Sequence, residues 1–177
     1  MLFDATEPVG KVDKQLVDLI VEQQKPVLFV VNKWDLYAGD VERSEWAQYL
    51  RDTFRTMPWA PIAFVTAKTG RNVKAAIDTT QRLFRQSQAR VPTAALNTMI
   101  HAATQATRPP SDRRGRPVRI YFATQVDTAP PTIVLSTSSP ESITAPYKRY
   151  LLSSLRKNAP FTEVPIKILV RNHKSRE

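Results

Sequence analysis

Two short, unbroken apolar runs constrain the fold of this chain more than any other feature. Pro26 opens Val27-Leu28-Phe29-Val30-Val31, and Pro61 opens Ile62-Ala63-Phe64-Val65. A strand with one wet face alternates apolar and polar residues. A strand without alternation is covered on both faces, as in a parallel sheet. The residues around the runs have helical spacing. Val12, Leu16, Leu19 and Ile20 predict a helix before the first run, with Leu2-Phe3 as the end of a strand ahead of it. Trp46, Leu50 and Phe54 predict a helix between the runs, ended before Pro58. Val73, Ile77 and Phe84 predict a third helix, running to about Gln86. The order β-α-β-α-β-α gives an α/β class with a parallel sheet.

Residues 88–92 read as a linker. Thr93 is placed to cap a helix carrying Leu96, Met99, Ile100 and Ala103 on one face. Arg108 to Pro117 is a basic loop. Val118 to Val126 and Thr132 to Ser138 read as an antiparallel pair joined by a turn over 127–131. Thr144 to Asn158 predicts a helix with Tyr147, Leu151, Leu152 and Leu155 inward, and Val164, Ile166, Ile168 and Val170 alternate as a last strand. The second half is thus α-β-β-α-β, an α+β domain over 89–177 after an α/β domain over 1–88. Residues 172–177 read as frayed.

Charge divides the chain in the same place. The net charge is +10; residues 1–88 carry 12 Lys and Arg against 11 Asp and Glu, and residues 89–177 carry 14 against 5. A near-neutral half followed by a basic one points to a polyanionic partner for the second half. Cysteine is absent, which excludes thiol catalysis, thiolate metal sites and disulfides, and fits a cytosolic compartment. The longest apolar run is too short to span a bilayer, so no membrane segment is expected.

The chemistry begins where the first apolar run ends, at Asn32-Lys33-Trp34-Asp35. Ligands bind at the carboxyl ends of strands in open α/β sheets. An Asp35 carboxylate there can accept from the ring N–H and the exocyclic amine of guanine. Adenine would leave it desolvated and unpaired. Asn32 can donate to the far edge of the base and tie neighbouring loops. The Lys33 stem can lie over the ring with its ammonium wet. The second run ends in Thr66-Ala67-Lys68. A backbone N–H near Ala67 can meet the guanine carbonyl there, and Lys68 can cover the other face. Asn-Lys-x-Asp alone is a weak signal. Two such loops after two buried strands are a specific one.

The spacing Asp4-Ala5-Thr6-Glu7, Asn32-Lys33-Trp34-Asp35 and Thr66-Ala67-Lys68-Thr69-Gly70 resembles the last three strands of a translation-factor-class GTPase of the P-loop fold. The second half resembles the C-terminal KH-like domain of the Der (EngA) family of double-domain GTPases. Tyr121-Phe122-Ala123-Thr124-Gln125-Val126, Pro130-Pro131-Thr132 and Tyr147-Lys148-Arg149-Tyr150-Leu151 carry that likeness. It implies a bacterial ribosome-assembly factor acting on the large subunit, with GTP or GDP as ligand and Mg²⁺ in the full-length protein. It also implies a C-terminal fragment. A phosphate-gripping Gly-x-x-x-x-Gly-Lys-Ser/Thr loop is absent, because Gly10, Gly39, Gly70 and Gly115 do not form it. The switch segment and the Asp-x-x-Gly loop are absent too. Hydrolysis depends on those parts, so no GTPase activity, weak nucleotide affinity and no catalytic residue are expected of this chain alone. Missing central strands would leave an apolar edge at Leu2-Phe3 and poor solubility.

In the basic half, Arg108, Arg113, Arg114, Arg116 and Arg119 cluster with only Asp112 opposed. Lys148, Arg149, Arg156 and Lys157 lie on the predicted second helix. These suit phosphate contacts with structured ribosomal RNA, or a nucleotide-dependent contact with the missing G domains. The Gly-x-x-Gly clamp of single-strand-reading KH domains is absent. His101 and His173 lack further ligands at metal spacing and read as surface or boundary residues. Tyr147 reads as core, and Trp34 as packing beneath its loop. Two readings of different class stand: part of a GTP-driven ribosome-assembly enzyme, or an autonomous RNA-binding module with a vestigial guanine pocket.

Overall fold

A computed structural model describes residues 1–37 and 42–173. The chain divides into two units, Met1–Gln86 and Ser87–Glu177.

In the first unit, strands β1 (Leu2–Asp4), β2 (Phe29–Asn32) and β3 (Ile62–Phe64) form a parallel sheet in that order. Helix α1 (Lys11–Glu22) joins the first two, α2 (Arg43–Thr53) the second pair, and α3 (Val73–Gln88) follows. Phe29 and Val31 of β2 are buried on one face, while Val30 between them is only half-buried, so β2 is covered less evenly than its unalternating run predicts. Phe3, Phe29 and Phe54 converge with ring centroids 5.2–5.8 Å apart. Trp46 and Leu50 of α2 join the same core. β3 lies at the sheet edge and is half-buried rather than covered. Leu2 is 68% exposed on β1, the other edge strand.

The helices stand where the spacing puts them, but two present a different face. On α1 the buried residue is Val17, with Ile20 and Val21 packed against the core, while Val12, Leu16 and Leu19 are exposed. An amphipathic count finds an apolar stripe; it does not say which of two stripes meets the sheet. On α3 Leu83 is buried and Ile77 and Phe84 are exposed.

In the second unit, α4 (Thr93–Ala106) leads to β4 (Ile120–Asp127), β5 (Thr132–Thr137), α5 (Ala145–Asn158) and β6 (Lys167–Asn172). The sheet order is β4-β5-β6, with β4 antiparallel and β6 parallel to β5. This is the α-β-β-α-β order expected. Thr93 opens α4 but does not cap it: the cap position is Pro92, without a side-chain hydrogen bond. Thr144 does cap α5, accepting from the Tyr147 N–H at 3.4 Å. Leu96 and Ile100 of α4, Ile133 and Leu135 of β5, and Leu151 and Leu155 of α5 fill the core with Phe161 and Val164. The Tyr147 and Tyr150 hydroxyls donate to the carbonyls of Thr107 and Ala103, at 2.9 and 2.7 Å. The Thr107 carbonyl lies just past the last turn of α4, where a helix leaves carbonyls to be satisfied from outside; the Ala103 carbonyl also accepts from the Thr107 N–H at 3.0 Å.

β4 is an edge strand, and a side chain from α4 stands in for its missing neighbour. Asn97 accepts from the Ala123 N–H at 2.8 Å and donates to the Ala123 carbonyl at 2.9 Å. Gln125 likewise pins the chain that enters α4, accepting from the Val91 N–H and donating to the Ala89 carbonyl, both at 2.9 Å. Asn172 and His173 are ordered at the end of β6, against the frayed tail expected; residues 174–177 lie outside the described residues.

Candidate functional site

The three parallel strands of the first unit end on one rim. Register sets Asp4 beside Asn32 and Val31 beside Phe64, so the loops after β1, β2 and β3 leave together. Lys33 turns the chain with φ of 60°, a left-handed conformation that costs a side-chain-bearing residue about 1–2 kcal/mol. Trp34 then drops beneath the loop, buried edge-on to Phe64 at 4.5 Å and stacked on Tyr37 at 6.2 Å. With that anchor set, Asp35 and Leu36 in the short helical turn Trp34–Tyr37 face outward. The second loop turns over Ala67–Thr69 and closes at Gly70, φ 75°. Space is no obstacle to a larger residue at Gly70; the dihedral is. Asn72 braces the turn by donating to the Phe64 carbonyl at 3.0 Å.

Two side-chain contacts hold this rim. Asn32 Oδ1 accepts from the Ala67 N–H at 3.0 Å and so ties the two loops. Lys33 Nζ meets Asp4 Oδ2 at 2.6 Å. Asp4 also accepts from the Thr6 N–H and hydroxyl, at 3.0 and 2.8 Å. The Lys33 ammonium, with the Thr6 donors, lowers the Asp4 carboxyl to about 2. The same pairing raises Lys33. Both groups reach solvent, so their mutual attraction is screened.

Between the loops lies a hollow of 350 Å³ lined by Asn32, Lys33, Asp35, Leu36, Thr66, Ala67 and Lys68. All six residues singled out from the sequence meet there. Leu36 was missed; its only signal was an apolar residue directly after the motif carboxylate. Asp35 is exposed and has no hydrogen-bond or ion-pair partner among the described residues. Two details differ from expectation. The Ala67 N–H is engaged by Asn32, and the Lys33 ammonium is paired with Asp4 rather than free in water.

The basic loop of the second unit is built around its one acid. Asp112 Oδ1 accepts from the backbone N–H groups of Arg114 and Arg116, at 2.8 and 2.9 Å. Its Oδ2 accepts from the Arg116 guanidinium, Nε and Nη2 each at 2.9 Å. These donors lower the Asp112 carboxyl. Arg113, Arg114, Arg116 and Arg119 are all exposed. On α5 Arg149 and Lys157 are exposed and Lys148 is half-buried. Arg156 requires a correction. Its guanidinium turns inward and donates to the carbonyls of Thr162 and Val164, at 2.9 and 2.7 Å. Burial lowers it to about 10. Helical spacing put Arg156 on the Arg149 face, but the loop after α5 folds back and captures it.

The sequence of residues 90–171 matches the family described as KH-domain-like of EngA bacterial GTPase enzymes, C-terminal. GTPase Der of Rhodopirellula baltica is 48% identical over 177 residues, 100% of this chain and 39% of that protein. The chain belongs to the Der (EngA) family. GTPase Der of Geobacter metallireducens is 36% identical over 178 residues, and that of Thermomicrobium roseum 34% over 174. Those matches cover 100% and 97% of this chain but only 40% and 38% of the relatives. The chain therefore spans about two-fifths of the curated relatives it matches. Among solved structures, Era of Aquifex aeolicus bound to GDP and AlF4⁻ aligns with 97% of this chain and 64% of its own, at 17% identity and a TM-score of 0.37. That likeness is too distant to bear on function.

Proposed function

We infer that this chain supplies the guanine-reading rim and an RNA-docking domain to a GTP-dependent, cytoplasmic ribosome-assembly protein of the Der type. The observation that carries the reading is Asp35, exposed and without a partner among the described residues, in a hollow that also holds Asn32, Ala67 and Lys68. That donor and acceptor set fits a guanine edge. Asp35 would accept from the base, Lys33 and Lys68 would cover the ring faces, and the Ala67 N–H would be shared between Asn32 and the base carbonyl. Leu36 adds apolar cover.

The phosphates and Mg²⁺ are a different matter. Among the described residues no group of three His, Asp or Glu could hold a metal ion, and no phosphate loop is in the sequence. GTP would supply switching energy only where those parts are present. No hydrolytic step is assigned to residues of this chain.

Titration calorimetry of the purified chain with GDP, ADP and guanosine tests the reading. Weak binding of GDP and guanosine over ADP is expected, abolished by Asp35→Ala, with no GTP turnover. Losing a charge-assisted hydrogen bond costs about 1.5–3 kcal/mol, roughly ten- to a hundredfold in affinity. Equal binding of ADP and GDP would remove the guanine reading. The engaged Ala67 N–H and Lys33 ammonium favour a second reading, an RNA-binding module whose base pocket is vestigial. No guanine binding together with salt-dependent binding to large-subunit rRNA would select it.

A further inference from the structure

At one end of the second sheet, three aromatic rings lie beside the arginine loop. The cause is a β-bulge. Ile120 pairs with Thr137 and Phe122 with Ser136, leaving Tyr121 as the extra residue on β4. A bulge re-aims side chains that would otherwise alternate. Tyr121 and Phe122 accordingly both stand in solvent, 48% and 44% exposed. From the end of β6, His173 reaches over β5. Its Nδ1 lies 3.0 Å from Ser136 Oγ. Its ring stacks on Tyr121 at 4.3 Å and 28°, with Phe122 edge-on at 6.1 Å.

Tyr121 also lines a hollow of 630 Å³ with Asp112, Arg116, Pro117, Arg119 and Ser138. The backbone of this wall is fixed: Arg119 donates from its N–H to Ser138 Oγ at 3.0 Å and accepts from the Ser138 N–H at 2.9 Å. The acids near by are engaged. Asp112 holds the loop, and Glu141 accepts from the Ser139 hydroxyl and feels the charge of Arg113. A flat, half-exposed ring already stacked on one side, next to guanidinium groups, is matched by a planar ligand that carries negative charge. Unpaired nucleotides have that chemistry; duplexes do not offer a free ring face.

We propose that Tyr121, stacked on His173, is a platform for one unpaired base of an RNA strand whose adjoining phosphates are held by Arg119 and Arg116. The site rests on the reading of this domain as RNA-docking. It adds a class of ligand, single-stranded rather than helical RNA, without a Gly-x-x-Gly clamp.

The test is fluorescence anisotropy of the full chain with a short single-stranded oligoadenylate, the same strand in a duplex, and an abasic strand of equal length. Tyr121→Ala should weaken single-strand binding about tenfold or more, leaving the abasic strand and the salt slope unchanged. Tyr121→Phe should restore it. Arg119→Ala should weaken all three ligands and lower the salt slope by about one. Circular dichroism checks that each variant folds. If Tyr121→Ala binds the single strand like the parent while Arg119→Ala does not, the platform falls and phosphate docking stands. If the parent binds no RNA, both fall. If polyglutamate displaces the oligonucleotide and its own binding needs Tyr121 as strongly, the surface is a protein site and the platform falls.

Discussion

The Asn32 side chain accepts the Ala67 N–H at 3.0 Å, bonding the two loops of the proposed guanine rim directly to each other. The loops come from neighbouring strands and are far apart in sequence, so this bond sets the width of the hollow. Asn32→Ala should cost about 0.5–1.5 kcal/mol of local stability and free the Ala67 amide. Amide hydrogen exchange should show Ala67 exchanging faster while Val31 in β2 is unchanged. Asn32→Asp keeps the acceptor and removes the side-chain donor. It should retain the Ala67 protection yet still weaken guanine binding, separating the tether from the base contact.

The Asp4–Lys33 pair gives the rim an acid limit. The Asp4 carboxyl is held at about 2, below its ordinary 3.8. A carboxyl with a lowered folded value stabilises the fold above its unfolded value and loses that contribution as pH falls through the folded one. The loop after β2 should therefore stay intact at neutral pH and loosen between about pH 4 and about pH 2. The Thr6 amide shift, followed by NMR, should report that transition. Asp4→Asn should abolish it and leave the pH response of the second unit unchanged.

Asn97 carries a different kind of weight. Ala123 is fully buried, and its N–H and carbonyl have the Asn97 amide as their partner on the open side of β4. Asn97→Ala leaves both groups buried and unpaired, at about 1–3 kcal/mol each. Urea unfolding should show a lower midpoint with an unchanged slope. Asn97→Asp should be worse than a simple loss of one bond, because its second oxygen faces the Ala123 carbonyl.

How far the sequence discloses such features depends on whether their cause is local. The runs around Phe29 and Phe64 disclose strands because the apolar pattern is contiguous. Asn32, Asp35, Ala67 and Lys68 disclose a rim because Asn32 ends β2 and the others follow a strand by three or four residues. The buried face of α1 was not legible: Val17 and Leu16 are equally apolar, and only the packed sheet decides between them. The bulge at Tyr121 was hidden because Tyr121-Phe122 reads as any aromatic strand. Its cause is the register with Thr137 and Ser136, which is non-local. The Asp4–Lys33 pair was hidden for the same reason, since the partners meet only through the β1–β2 register.

Arg156 shows what that distinction means for experiment. By spacing it belongs with the exposed cations of α5; by structure its guanidinium bonds the Thr162 and Val164 carbonyls of the next loop. Val164 is fully buried. Arg156→Ala should thus act on stability, by about 1.5–3 kcal/mol for hydrogen bonds to a charged group, and leave RNA affinity unchanged at temperatures where the variant is folded. Arg156→Lys should recover part of the loss, because both bonds come from the single nitrogen Nη1 and an ammonium also carries several donors on one nitrogen. Arg149→Ala and Lys157→Ala should do the opposite, leaving the melting temperature unchanged and reducing the salt slope of RNA binding. A melting curve and a salt titration on the three variants separate the two roles. Equal losses of RNA affinity in all three, with no change in melting temperature, would return Arg156 to the RNA-binding set.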